Sequence, residues 1–247
     1  MIRFLLIVIF VVSFLLLSIP VFLVEWLIGK WNPRIRDISS LRIVQWAFKV
    51  VGWMSGVRLT VIGEENIPKD TPVLYIGNHR SFFDIVLTYA RCPGLTGYVA
   101  KKELLKIPLL STWMKFLYCL FLDRTDIKAG LKTILTAIDQ VKNGISIMIF
   151  PEVTRGEGKD ELDMLPFHEG SFKIATKTGC PIIPVALTGT SAIFEDHFPK
   201  VKAVDVTIEY GAPIYPKELS REEQKFIGKH VQGKLSEMIE KNMNAVK

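Results

Sequence analysis

His79 and Asp84 are the residues whose types and spacing first suggest chemistry. An unperturbed imidazole titrates at roughly pH 6.5, so it can take a proton from a hydroxyl near neutrality. On one continuous helix, two residues five apart would face about 140° away from each other. The surrounding sequence points to a different setting. A short apolar run, Val73 to Ile76, is interrupted by Gly77, and Phe82 to Ala90 has helical character. His79 therefore falls where a buried strand ends and a helix begins. A turn there can fold the two side chains together. Asp84 would accept a hydrogen bond from one ring nitrogen and leave the other as a base. The competing structural reading is that His79 caps the turn and Asp84 stabilises the helix N-terminus.

A second polar cluster changes the balance. Phe150-Pro151-Glu152-Val153-Thr154-Arg155 also follows an apolar run, Ile145 to Phe150. In a parallel sheet, residues just beyond neighbouring strand ends meet along one edge, where ligands bind.

Together these stretches resemble the membrane-bound glycerolipid acyltransferases, most closely the 1-acyl-sn-glycerol-3-phosphate acyltransferases. Asn78 to Asp84 is similar to that family's His-x4-Asp block. Tyr98 to Leu104, with Pro108 and Phe121-Leu122-Asp123-Arg124, resembles a second block. Phe150 to Arg155 resembles the Phe-Pro-Glu-Gly-Thr-Arg block, with Val153 where the family has Gly. Cys180-Pro181-Ile182-Ile183-Pro184-Val185 resembles a fourth. The blocks occur in order over roughly residues 58–210.

The elements that must position these residues follow from composition and pattern. The chain has 247 residues, 49% of them hydrophobic, with a mean hydropathy of +0.28. That length fits one domain and an anchor. The net charge of +6 is uneven: residues 1–54 carry six basic and two acidic side chains, and the remaining 193 residues carry 25 and 23. A basic excess beside a greasy segment suits an anionic lipid surface better than nucleic acid, for which no motif is present. Cys92, Cys119 and Cys180 show no paired spacing and read as reduced thiols, with Cys119 and Cys180 in apolar stretches as packing residues. The four histidines share no metal-ligand spacing, and no phosphate-binding glycine loop is present.

Phe4 to Val24 contains no charge and is long enough to cross the bilayer. Glu25-Trp26 follows it in place of a small-residue cleavage site. Pro20 is expected to kink this helix and Asn32-Pro33 to end it. Ile38 to Met54 forms a second apolar helix with a narrow polar stripe of Arg42, Gln45, Lys49 and Gly52, expected to pack on the first and lie in the membrane interface. The alternative is a core helix of the globular domain. The expected division is an anchor over 1–54 and a catalytic domain over 55–247. Lys30, Arg34 and Arg36 follow the first apolar segment, which places that domain in the cytoplasm, on a bacterial inner membrane.

Beyond Gly56, strand and helix patterns alternate. The expected fold is α/β: a mixed, largely parallel sheet flanked by helices and preceded by the membrane-embedded two-helix segment. Arg58–Ile62 reads as an exposed strand. Leu104 to Phe116, interrupted by Pro108, reads as helix. Leu131, Ile134, Leu135 and Ile138 fall on one face of the next helix, Ile127 to Val141. Gly156 to Pro166 reads as a loop over the site. Pro184 suggests that its strand lies at an edge or ends there. A Ser220-x-x-Glu223 capping box opens a last helix with Phe226, Ile227, Val231, Leu235 and Met238 inward.

The resemblance implies an acyl transfer from a thioester, on coenzyme A or acyl carrier protein as co-substrate, to the free sn-2 hydroxyl of lysophosphatidic acid, giving phosphatidic acid. No cofactor or metal is implied. His79 would be the general base and Asp84 its orienting partner. Glu152, Thr154 and Arg155 would hold the glycerol phosphate. Lys101 and Arg124, each at a predicted strand end, are further cations within reach of a phosphate. Acylation of another lysolipid, an inactive lipid-binding protein and a lipid hydrolase are the alternatives. A nucleophilic Ser81 is a weaker reading, because no Gly-x-Ser-x-Gly elbow is present.

Overall fold

A computed structural model describes residues 1–152, 154, 156 and 160–245. Seven strands form one sheet: β1 (Arg58–Ile62), β2 (Leu74–Gly77), β3 (Thr96–Lys101), β4 (Leu120–Leu122), β5 (Ser146–Ile149), β6 (Ile182–Thr188) and β7 (Asp205–Tyr210), in the order β1-β7-β6-β2-β5-β3-β4. The five strands from β6 to β4 run parallel. β7 is antiparallel to β6, and β1 pairs with β7 in the same direction. The expected α/β class therefore holds, with the reversed pair at one edge.

The strands alternate between two apolar layers. Tyr75, Met148, Ile183 and Val185 face a cluster that includes Phe83, Leu87, Leu41, Val44 and Val51. Leu74, Ile76, Ile147, Ile149 and Ile182 face the other cluster, with Ala137, Ile138, Val231, Leu235 and Ile239. The first layer is covered by α2 (Pro33–Ser55), α3 (Phe82–Tyr89) and α4 (Pro108–Phe116). The second is covered by α5 (Ile127–Lys142), α6 (Lys173–Thr178) and α8 (Ile227–Ala245). A short helix, α7 (Arg221–Lys225), precedes α8 and opens on the expected capping box.

The N-terminal helix α1 (Ile2–Trp31) runs without a break through Pro20. Among the described residues it is the one helix long and apolar enough to cross a membrane, and little of it is buried. Asn32 ends α1 and caps α2, accepting from the Ile35 N–H, with Pro33 in the first turn of α2. The two helices are clasped by Ser39 Oγ donating to the buried Glu25 carboxylate. Trp113 Nε1 on α4 donates to Ser18 Oγ at 2.8 Å, which ties α1 to the first layer. At the start of α1, Phe4 stacks on Phe194 with ring centroids 5.4 Å apart and meets Phe198 edge-on.

The second helix departs from the expected picture of an interfacial stripe. Gln45 is buried, and its Nε2 donates to the carbonyls of Tyr89 and Cys92 at the end of α3. Leu41, Val44 and Val51 belong to the main core, so the core continues across residue 55. Trp46 and Trp53 point outward instead. Burying each such aliphatic side chain contributes about 1.5–3 kcal/mol.

Four further expectations are corrected or refined. Pro184 lies in β6, an interior strand. Its carbonyl accepts from Gly211 N, and pairing with β7 begins only at Val185, so the missing N–H falls where that ladder is interrupted. On α5 the inner face is Thr133, Ala137, Ile138 and Val141, while Leu131 and Leu135 are exposed. Phe226 is exposed because the chain breaks between α7 and α8 at that residue. The expected helical stretch over Leu104 to Phe116 is interrupted before Pro108 as expected, but its first part is a 3-10 turn, Lys102–Lys106, and α4 starts at Pro108.

Candidate active site

The site is built on the turn between β2 and α3. Ser81 is the N-cap of α3, accepting from Phe83 N at 3.0 Å, and Asp84 is the third residue of the helix in a capping box. One oxygen, Asp84 Oδ2, accepts from Arg80 N at 2.7 Å, from Ser81 N at 2.8 Å and from His79 Nδ1 at 2.8 Å. Capping and orientation are thus one arrangement, and both readings of Asp84 hold together. The bond to a carboxylate makes Nδ1 the protonated nitrogen and leaves Nε2 with its lone pair, the tautomer a general base needs. Asp84 is fully buried and the His79 side chain is 16% exposed.

The imidazole also has a floor. Its ring stacks on Phe150 with centroids 4.4 Å apart and planes 18° apart. Gly77 makes room for this. A Cβ there would lie 3.0 Å from a ring carbon of Phe150 and 2.9 Å from the end of Met148. Asn78 then pins the strand end to β6, donating to Leu187 O and accepting from Leu187 N, both at 2.8 Å.

Glu152 lies against the same turn. One oxygen accepts from His79 N at 2.9 Å and the other from Leu165 N at 2.8 Å, and the residue is buried. Both oxygens therefore serve the backbone, joining the catalytic turn to the loop beyond β5. Burial pushes this carboxyl above the ordinary glutamate range, against the pull of the two N–H donors. The loop is held at further points. Gly156 N donates to His79 O, Arg80 Nη1 to Asp160 O, and Gly189 N to Glu161, whose carboxyl burial also raises.

The other candidates share the edge without touching the dyad. Lys101 ends β3 and lies in register with Leu122, and Arg124 follows β4; both are exposed. β3 is two strands from β2 and β4 is three, so these cations start about 10 and 14 Å away along the sheet. Lys102 pairs with Asp123, whose carboxyl that bond lowers to about 2. Thr154 is exposed on the loop. Val153 and Arg155 lie outside the described residues. No cluster of metal-ligating side chains occurs among the described residues.

Two residues in the site carry no local signal in the sequence. Glu195 spans the N-terminus of α3: Ser81 Oγ donates to it at 2.6 Å and Phe82 N at 2.8 Å. Ser81 Oγ is thereby committed to Glu195 and to the helix cap, and it is fully buried. It does not meet His79, which disposes of the serine-nucleophile reading. Arg80 is the second, buried beneath the loop.

A family model described as Acyltransferase matches residues 58–188. The chain belongs to the Acyltransferase family. The matched stretch contains His79, Asp84, Lys101, Arg124 and Glu152. Within the family, the chain is 35% identical over 63% of its length to a 1-acyl-sn-glycerol-3-phosphate acyltransferase of Borreliella burgdorferi, covering 61% of that protein. It is 33% identical over 65% of its length to the Saccharomyces cerevisiae enzyme of the same name, covering 54% of it. The matches thus span roughly half to three fifths of these relatives. A crystal structure of the 1-acyl-sn-glycerophosphate (LPA) acyltransferase PlsC from Thermotoga maritima superposes with a TM-score of 0.79 at 26% identity, covering 97% of each chain.

Proposed function

We propose that the protein is a membrane-associated 1-acylglycerol-3-phosphate O-acyltransferase that moves an acyl chain from a thioester to the sn-2 hydroxyl of lysophosphatidic acid. The observation that carries this reading is the His79 Nδ1–Asp84 bond inside the cap of α3, which leaves Nε2 as a base in a chain of this family.

The chemistry follows from that nitrogen. Nε2 takes the sn-2 proton as the hydroxyl oxygen attacks the thioester carbonyl. The new C–O bond gives a tetrahedral centre, the C–S bond breaks, and the imidazolium returns its proton to the departing thiolate. Asp84 stabilises the imidazolium in between. The donor is acyl-coenzyme A or acyl carrier protein, consumed as a co-substrate, and the residues require no further cofactor. Arg155, Lys101 and Thr154 hold the acceptor phosphate, with Arg124 a further cation at the sheet edge. Glu152 acts by fixing His79 N.

The bilayer is the other partner. The apolar face of α1 and the basic residues Lys30, Arg34 and Arg36 favour a membrane location with the site on the cytoplasmic side of a bacterial inner membrane. Thin-layer separation of products from purified protein, labelled acyl thioester and a panel of lysolipids tests the function. Labelled phosphatidic acid from lysophosphatidic acid is expected. Free fatty acid alone would assign a hydrolase, and a diacyl product only from another lysolipid would move the substrate.

A further inference from the structure

Away from the catalytic turn, α1, α2 and α4 leave a groove of about 550 Å3 between them. Phe10, Phe14 and Leu17 form one wall, Trp46 another, and Trp113 the floor. Of the two wall serines, Ser18 is satisfied internally: its Oγ donates to Phe14 O and accepts from Trp113 Nε1. Arg42 lines the same groove, is exposed, and its side-chain hydrogen bond among the described residues goes to the neutral Gln45 amide at 3.0 Å.

We propose that this groove holds one acyl chain of a resident anionic phospholipid of the bilayer, with the lipid phosphate on Arg42. Five features select this occupant. The groove opens onto the face where Leu17 and Trp46 are exposed on the apolar helix pair, so its surroundings are hydrocarbon and an acyl chain fills it in preference to water. Its α1 wall from Phe10 to Val21 is about 16 Å long, close to the roughly 15 Å depth of one leaflet. The volume lies within the range of about 300–1,000 Å3 typical of small-molecule pockets. A guanidinium with no carboxylate partner among the described residues matches a phosphate, gripped through two parallel N–H bonds, and favours a headgroup whose phosphate charge is not offset by a choline cation. Trp46, one turn beyond Arg42, is the residue type that settles at the headgroup level. Among the described residues, none of those assigned to the acyl transfer lines the groove, which sets it apart from the turn that carries His79.

The inference rests on the membrane reading of α1, and the test separates the two. Full-length protein in dodecyl maltoside micelles is supplied with dioleoylphosphatidylglycerol or dioleoylphosphatidylcholine and measured by native mass spectrometry. Flotation on phosphatidylglycerol vesicles is measured in parallel. One retained phosphatidylglycerol per chain is expected, held about tenfold more tightly than phosphatidylcholine. Arg42→Gln, a substitution at an exposed position, should remove that preference. Ser13→Phe, which fills the groove, should remove the adduct while flotation persists. Equal retention of both lipids by the unaltered chain, or an unchanged adduct in Ser13→Phe, overturns the proposal. Failure of the unaltered chain to float overturns the membrane reading and the groove's occupant with it.

Discussion

The catalytic turn and the sheet edge beside it are held in opposite ways. Around His79, bonds converge from the helix cap, from Glu152 across the sheet and from Glu195 on the far side of α3. At the ends of β3 and β4, Lys101 and Arg124 stand exposed on long side chains. On the proposed function, the difference reflects what each part must do. A base has to keep one tautomer and one orientation before substrate arrives, and fixed geometry lowers the barrier. A cation that meets a phosphate can stay solvated until the ligand orders it, at a cost in side-chain entropy. The first part should therefore fail mainly in kcat and the second mainly in KM.

The largest break in this comparison is His79→Ala. It should lower kcat about 10²- to 10⁴-fold while the far-ultraviolet circular dichroism stays unchanged. Asp84→Asn should match that loss and also lower the melting temperature, because the same oxygen caps α3. A variant with normal kcat would remove the dyad from the mechanism.

Glu195→Ala comes next. It removes the acceptor for Ser81 Oγ and Phe82 N, at about 2–3 kcal/mol for charge-assisted bonds. A melting temperature lowered by roughly 5–10 °C and a kcat reduced about tenfold are expected. A stability loss with full kcat would make Glu195 a strut with no influence on the base.

On the flexible side, Lys101→Ala should raise KM for lysophosphatidic acid about three- to tenfold with kcat little changed. Arg124→Ala, one strand farther from His79, should do less. An equal loss in kcat and kcat/KM for Lys101→Ala would show that this edge is as preorganised as the turn.

A smaller effect concerns pH. Burial raises Glu152, so the folded protein binds this proton more tightly than the unfolded chain. The stability it contributes is full below the ordinary glutamate value and is lost as pH rises through the raised one. Glu152→Gln should flatten that limb of the melting-temperature profile. The smallest expected effect is in the thiols. Burial pushes Cys92 up to about 11 and Cys119 to about 12. N-ethylmaleimide at pH 7 should leave the activity of the folded protein intact.

What could be read in the sequence divides along similar lines. The His79–Asp84 contact is local, set by a strand end, a turn and a helix cap whose residue types are each recognisable, so five positions of sequence carry it. The parallel sheet was legible because apolar runs alternate with helical patterns. Glu195 was not, because it lies 114 residues from Ser81 and reaches it only after the chain has crossed β6. Glu152 was visible as a polar residue beyond β5. That both its oxygens meet backbone N–H groups depends on where the following loop returns. Gln45 looked like part of a surface stripe, and the end of α3 supplies the two carbonyls that bury it. The exposure of Leu131 and Leu135 was not legible, because counting apolar residues on α5 does not show which arc the sheet covers.

The double use of Asp84 bears on how such chains diverge. One of its oxygens caps a helix and orients the imidazole, so selection for a folded protein preserves Asp84 even where selection for catalysis has lapsed. His79 has no comparable structural duty in its side chain: among the described residues its ring bonds that aspartate and stacks on Phe150. In a lineage that abandoned acyl transfer, the histidine would drift first and the aspartate would persist. Between two descendants of this scaffold, the aspartate is evidence that the helix still folds, and the histidine is evidence that the descendant still works.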